Sequence, residues 1–206
     1  EAGHATTSWL LEFAHPLVKV TIVPRGKALG AAWYLPNERQ ITTKEQMYHE
    51  MIATLGGRAA EQLIFGHIST GALSDLEKVT KQATAMIAYY GLDERIGNRS
   101  YYDSTGQQDY ALTKPFSEKT AEIIDEQVSK LIESAYQEAL RILGENIDGL
   151  TQLANKLIDK EVVFGDDLEM IFGKRPWVKE EIDFPKESQQ TTDNGQQSES
   201  TEENLV

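Results

Sequence analysis

Between Ala121 and Ile142 the apolar residues fall at Ala121, Ile124, Val128, Leu131, Ala135, Ala139 and Ile142, in steps of three and four that draw one stripe along a helix. Pro115 and Ser117, the latter suited to capping free N–H groups, mark the start of this long amphipathic helix, and Gly144 marks its end. A second helix is predicted from about Thr43 to Phe65, with Met47, Met51, Leu55, Ala59 and Leu63 on one side. Gly56 and Gly57 interrupt it at about 1 kcal/mol each relative to alanine, which implies close packing against another helix. A third helix spans about Asp75 to Tyr90 and stops at Gly91, and shorter ones are expected at Ile147 to Asp159 and Gly165 to Phe172. Near the start, Thr7, Leu10, Leu11 and Phe13 fit an apolar helix face. Strand character is confined to Leu17 to Val23, alternating around Val18, Val20 and Ile22, and to Leu29 to Leu35, with Arg25-Gly26 as the turn between them. The expected fold class is mainly α, with one small β-hairpin or edge-strand element. Gly91 to Lys114 reads as a long polar loop.

Composition narrows the chemistry. The 206 residues carry 20 Lys plus Arg against 33 Asp plus Glu, a formal charge of −13. Residues 179–206 alone hold two lysines against eight acids, a net of −6 that leaves −7 for the body. That polar stretch has too little apolar area to offset chain entropy, so residues 1–177 are expected to form the folded domain and 178–206 an acidic, disordered tail. An acidic balance with dispersed Lys and Arg argues against a nucleic-acid partner, which needs a concentrated positive face. No apolar run reaches the roughly 18 to 20 residues of a membrane span, so direct insertion by this segment is not expected. With no cysteine, thiolate zinc clusters and cysteine nucleophiles are excluded, and any metal must be held by His, Asp or Glu.

There are four histidines to consider. In Glu1-Ala2-Gly3-His4-Ala5, Glu1 and His4 stand three apart and share a helix face, so both can point at one locus. Alone, His4 also suits an ordinary helix-end or core position. Glu1 and His4 match the second and fifth positions of His-Glu-x-x-His, in which two histidines bind zinc while the glutamate faces water. Asp75, in Ser69-Thr70-Gly71-Ala72-Leu73-Ser74-Asp75-Leu76, would by itself be a plain first-turn acid stabilised by the helix dipole.

Together these segments resemble the zinc protease domain of the FtsH family, membrane-anchored AAA+ proteases. Lys19-Val20-Thr21-Ile22-Val23-Pro24-Arg25-Gly26 with Leu29-Gly30, Gly56-Gly57-Arg58-Ala59-Ala60-Glu61, and Tyr90-Gly91-Leu92 agree in the same order, so the resemblance covers roughly residues 1–177. Ser74 stands where bacterial members commonly have Asn. The resemblance implies that His4 and Asp75 are metal ligands for one zinc, that Glu1 is the catalytic base, and that a histidine just upstream of Glu1 is the third ligand. It further implies ATP use through an upstream module, unfolded polypeptide substrates, a homo-hexamer, and anchoring at the cytoplasmic side of the bacterial inner membrane. The sequence contains neither the first histidine nor a Gly-x-x-x-x-Gly-Lys-Ser/Thr loop, so this stretch by itself is expected to be inactive, with zinc weakly held.

Other candidates have plainer explanations. His49-Glu50 lacks a second ligand, because Ala53 follows four residues on, and the pair reads as the polar side of a helix. His67 suits a helix end or a supporting position beside the metal ligands, and His15, before Pro16, suits a turn. Glu61 is an alternative ligand to Asp75. The strand at Lys19 to Val23 is either a structural hairpin strand or an edge to which an extended substrate adds. The competing function is a non-catalytic helical oligomerisation domain of a ring assembly.

Overall fold

The computed structural model describes residues 1–24, 30–34, 41–102, 115–175 and 177. The Arg25-Gly26 turn, Leu29, Leu35, part of the 91–114 loop and the acidic tail from residue 178 lie outside the described residues. The elements run α1 (Ala2–Leu10), β1 (Leu17–Thr21), β2 (Ala31–Tyr34), α2 (Lys44–Phe65), α3 (Leu73–Thr84), α4 (Glu118–Glu145), α5 (Ile147–Lys160), β3 (Val162–Phe164) and α6 (Gly165–Phe172). A 3-10 turn, Thr70–Ala72, leads into α3. The chain is mainly α with one small antiparallel sheet.

The helix boundaries follow local chemistry. Thr43 closes a capping box on α2, its hydroxyl accepting from Gln46 N–H while the Gln46 side chain accepts from Thr43 N–H at 2.8 Å. Gly66, at φ 70°, ends that helix in the left-handed conformation. Ser117 caps α4 by accepting from Thr120 N–H at 3.3 Å. The third helix departs from the expected Asp75 to Tyr90: after Thr84 it widens into a π-helical segment, Ala85–Tyr89, in which Tyr90 N–H reaches back five residues to Ala85 O.

Among the described residues three apolar clusters hold the body together, and the two larger ones carry the site. Met51, Ile52, Leu55 and Ala59 of α2 meet Val79 and Ala83 of α3 and Ala135, Ala139 and Leu143 of α4, all buried. Leu17 and Val20 of β1 and Val163 of β3 pack with Ala5, Leu153, Leu157 and Leu168, seating the sheet on α1, α5 and α6. The stripe on α2 is buried from Met51 to Ala59 and partly buried at Met47, whereas Leu63 is exposed.

The sheet corrects one expectation and decides between the two readings of the Lys19 to Val23 strand. It has three strands in the order β2-β1-β3, and β3 lies between α5 and α6, where only helices were expected. Glu161 alone separates the helical and extended stretches: at φ 61° it turns the chain out of α5, and three residues then pair with β1. The segment considered as a free substrate edge is therefore the central strand, since both its edges are occupied; the outer strand on the opposite side from β3 is β2. β1 carries an irregularity opposite β2: Leu17 pairs with Tyr34 and Lys19 with Trp33, leaving Val18 as an extra residue between them. Among the described residues, no helix is long and apolar enough to cross a membrane.

Candidate metal centre

Helix α1 crosses α2 where neither has side-chain bulk. A Cβ on Gly56 would lie 2.7 Å from Gly3 O, and one on Gly3 would collide with Gly56 O, so both glycines are fixed by backbone contact. Gly57, one residue on, leaves room for a ring instead of a backbone, because its missing Cβ would fall on His4 Nε2. His4 is thereby laid across α2, and its Nδ1 lies 3.0 Å from Ala53 O. A carbonyl can only accept, so Nδ1 carries the hydrogen and the neutral imidazole presents a bare lone pair at Nε2.

That lone pair faces Asp75. Nε2 lies 3.4 Å from Asp75 Oδ2, with both side chains partly buried. Asp75 occupies the first turn of α3, whose approach is fixed by Glu61: its two carboxylate oxygens accept from Ser69 N–H at 3.0 Å and Ser69 O–H at 2.7 Å. Ser69 Oγ in turn accepts from Gly71 N–H at 3.2 Å. These bonds to Ser69 hold the Glu61 carboxyl below the usual carboxylate range. Glu61, the alternative ligand, is thus committed to shaping the turn before Asp75.

Two acceptors facing each other without a hydrogen between them call for a positive charge, either a proton on the ring or a cation bound by both. The spacing suits zinc: ligand distances of about 2.0 to 2.2 Å at a tetrahedral angle put neighbouring donor atoms about 3.4 Å apart. The hydrogen bond from the far ring nitrogen to a backbone carbonyl is the support that metal-ligating histidines ordinarily have. The donors therefore fit zinc. Among the described residues, no group of three His, Cys, Asp or Glu side chains is arranged to hold a metal without further help.

Glu1 opens α1, its carbonyl accepting from Ala5 N–H at 3.1 Å. Its side chain lies against Gly30, where a Cβ would come within 2.7 Å of Cγ and Oε1. Glu1, His4, Asp75, Tyr34, His15 and Glu50 all line one cleft of about 910 Å³. A model of Peptidase family M41 matches residues 1–171. The chain belongs to the FtsH family. It is an FtsH-type protease domain, 64% identical over 178 residues to the ATP-dependent zinc metalloprotease FtsH of Parabacteroides distasonis, covering 86% of this chain and 26% of that protein. It is 55% identical over 171 residues to the FtsH of Karelsulcia muelleri, covering 83% of this chain and 28% of that protein. It is 46% identical over 179 residues to the mitochondrial inner membrane m-AAA protease component AFG3L2 of Mus musculus, covering 87% of this chain and 22% of that protein. The chain thus spans about a quarter of the length of these FtsH relatives.

The remaining histidines sort themselves out. His49 is half-buried, accepts from Phe13 N–H at 3.3 Å and packs at a tilt against the Phe13 ring with centroids 5.2 Å apart, and burial pushes its pKa down. His67 is exposed beside Phe65. His15 is more than a turn residue: Nε2 lies 3.1 Å from Glu50 Oε1, at the cleft, while Gln82 donates to Glu50 Oε2 at 3.2 Å. Sequence reasoning also missed Tyr34 and Ser8, which it treated as strand and helix residues. Ser8 O–H donates to Tyr34 Oη at 3.2 Å. The only advance signal for Ser8 was its place on the Glu1-His4 face of α1.

Proposed function

We propose that this chain is the peptidase part of a zinc-dependent endopeptidase, with His4 and Asp75 as two zinc ligands and Glu1 as the general base. The observation that carries this reading is the opposition of His4 Nε2 and Asp75 Oδ2 at 3.4 Å, with Nδ1 bonded to Ala53 O. A third protein ligand is expected from a histidine directly before Glu1, at the first position of His-Glu-x-x-His. Two side chains alone hold zinc poorly, so residues 1–206 by themselves are expected to bind it weakly and to be inactive.

When bound, zinc supplies Lewis acidity, polarising a carbonyl and acidifying water at the site to a pKa of about 7. Glu1, at the same cleft, accepts a proton from the attacking water and later delivers it to the leaving amine nitrogen, so one carboxyl serves both half-reactions. His4 and Asp75 would hold the metal, and the first turn of α1 carries both His4 and Glu1, so the base is placed beside a ligand. The polypeptide substrate adds alongside β2, whose Ala31 and Ala32, with the preceding Gly30, line the cleft beside Glu1. Main-chain hydrogen bonding of this kind tolerates many sequences, which suits a protease acting on unfolded chains.

For the whole protein we infer an ATP-driven, membrane-anchored homo-hexamer that degrades misfolded or membrane proteins at the cytoplasmic side of the bacterial inner membrane. ATP would act through a module outside these 206 residues. The relatives' description as ATP-dependent zinc metalloproteases supports this reading. The test is Glu1→Gln in the full-length protein. Zinc content is expected to stay at the wild-type level while hydrolysis of an unfolded protein falls by about 10² to 10⁴. Substantial turnover by the zinc-loaded variant would remove Glu1 from the mechanism.

A further inference from the structure

We propose that Tyr34 is an additional catalytic residue, whose phenol O–H donates a hydrogen bond to the scissile carbonyl oxygen as negative charge develops there. This rests on the zinc-peptidase reading above and adds a donor to it. Tyr34 lies at the end of β2, on the wall of the cleft that holds Glu1, His4 and Asp75. The extra residue Val18 in β1 shifts the strand register at this end, pairing Tyr34 with Leu17. Such irregularities re-aim a side chain.

The phenol is held by the helix that carries the reacting groups. Glu1, His4 and Ser8 fall at helical spacing on one face of α1. Ser8 is buried, and its hydroxyl donates to Tyr34 Oη at 3.2 Å. This bond sets the direction of the pair: Ser8 spends its hydrogen on the phenol oxygen, and Tyr34 keeps its own hydrogen to donate. Among the described residues, that hydrogen has no acceptor. An aromatic ring with few rotors, pinned at its tip, is a preorganised donor of the type that stabilises an oxyanion. Two other donors at the cleft are less suited. His15 is paired with Glu50, and Lys78 is exposed on a long flexible stem.

The protonation state suits the role. Burial pushes the Tyr34 pKa above its ordinary value, the Ser8 hydrogen bond opposes this, and the nearby Glu1 and Asp75 carboxylates raise it further. The phenol therefore stays protonated through neutral pH and acts as a donor rather than a base. In the reaction, the water oxygen bonds to the carbonyl carbon, the carbonyl π pair moves onto oxygen, and Glu1 takes the water proton. Tyr34 hydrogen-bonds that oxygen without giving up its proton. The pair then re-forms the C=O bond as the C–N bond breaks, and the nitrogen receives the proton from Glu1.

The test is Tyr34→Phe in the full-length protein, with zinc content, melting temperature and kinetics measured together. Zinc content, melting temperature and KM are expected to be unchanged, while kcat and kcat/KM fall together by about 10². Affinity for a phosphinic peptide, a tetrahedral mimic, should fall in similar proportion, whereas Glu1→Gln should bind uncleaved substrate equally well with or without Tyr34→Phe. Wild-type kcat in zinc-loaded Tyr34→Phe would overturn the donor role and leave the peptidase reading standing, as would equal weakening of substrate and phosphinic peptide. A wild-type protein that binds no zinc would overturn the peptidase reading, and this role with it.

Discussion

Gly57→Ala separates metal binding from folding. Gly57 sits inside α2, where alanine is favoured over glycine by about 1 kcal/mol, so helix propensity alone predicts a gain in stability. The added methyl, however, would occupy the place of His4 Nε2 and come within 2.9 Å of both Cδ2 and Cε1. The ring must swing off α2, giving up the 3.0 Å bond to Ala53 O and the 3.4 Å approach to Asp75 Oδ2. Loss of such supporting bonds weakens metal affinity by about 10 to 100-fold, and displacing a ligand itself costs at least as much. The neighbour supplies the contrast: a Cβ on Gly56 meets Gly3 O at 2.7 Å, a backbone atom that cannot step aside, so Gly56→Ala is expected to destabilise by about 1 to 3 kcal/mol. Zinc affinity by chelator competition and thermal unfolding of the metal-free full-length protein would be measured for both variants. Gly57→Ala should lose zinc with its melting temperature kept or raised, and Gly56→Ala should lose stability. Wild-type zinc affinity in Gly57→Ala would refute the placement of His4 as a ligand.

Further outcomes follow from the same geometry. Asp75→Asn should abolish stoichiometric zinc binding in the full-length protein, while Glu61→Gln, which weakens only the acceptors for Ser69, should retain zinc and show faster amide exchange across residues 69–72; the reverse ranking would make Glu61 the ligand. Asp167 tests the sheet's anchoring to α6. Lys156 at 2.6 Å, then Phe164 N–H and Lys160, hold its pKa down at about 2. A depressed folded-state value means that the stabilisation is present above the unfolded carboxyl's pKa, near 4, and is lost as pH falls from about 4 to about 2. Discounted for solvent around the lysines, it is worth about 1 to 2 kcal/mol. Acid unfolding of Asp167→Asn should show a shallower dependence through that window, and an unchanged profile would contradict the assignment.

The helices were legible because their signals are local. The α4 stripe needed only the spacing of Ala121 to Ile142, and Ser117 and Thr43 cap the helices they precede. β3 was not legible: three residues between two helices acquire strand character only by pairing with β1, far back in the chain. The same distance dependence governs the site. Glu1 and His4 share a face by helical geometry alone, whereas the approach of Asp75 depends on how α3 packs on α2 and was anticipated through family resemblance. Gly57 was visible as an interruption of a helix, but its use as a seat for an imidazole required knowing what lies above it. Tyr34 and the His15–Glu50 pair were illegible for the same reason, since each acquires its meaning from a partner on another element.

The central claim is that one zinc ion is held jointly by the start of α1 and the start of α3. Anomalous scattering at the zinc absorption edge from crystals of the full-length protein tests this most directly. The account predicts one peak per subunit about 2.0 to 2.2 Å from both His4 Nε2 and Asp75 Oδ2. A zinc peak bound by other side chains, with His4 and Asp75 bonded only to each other, would contradict it.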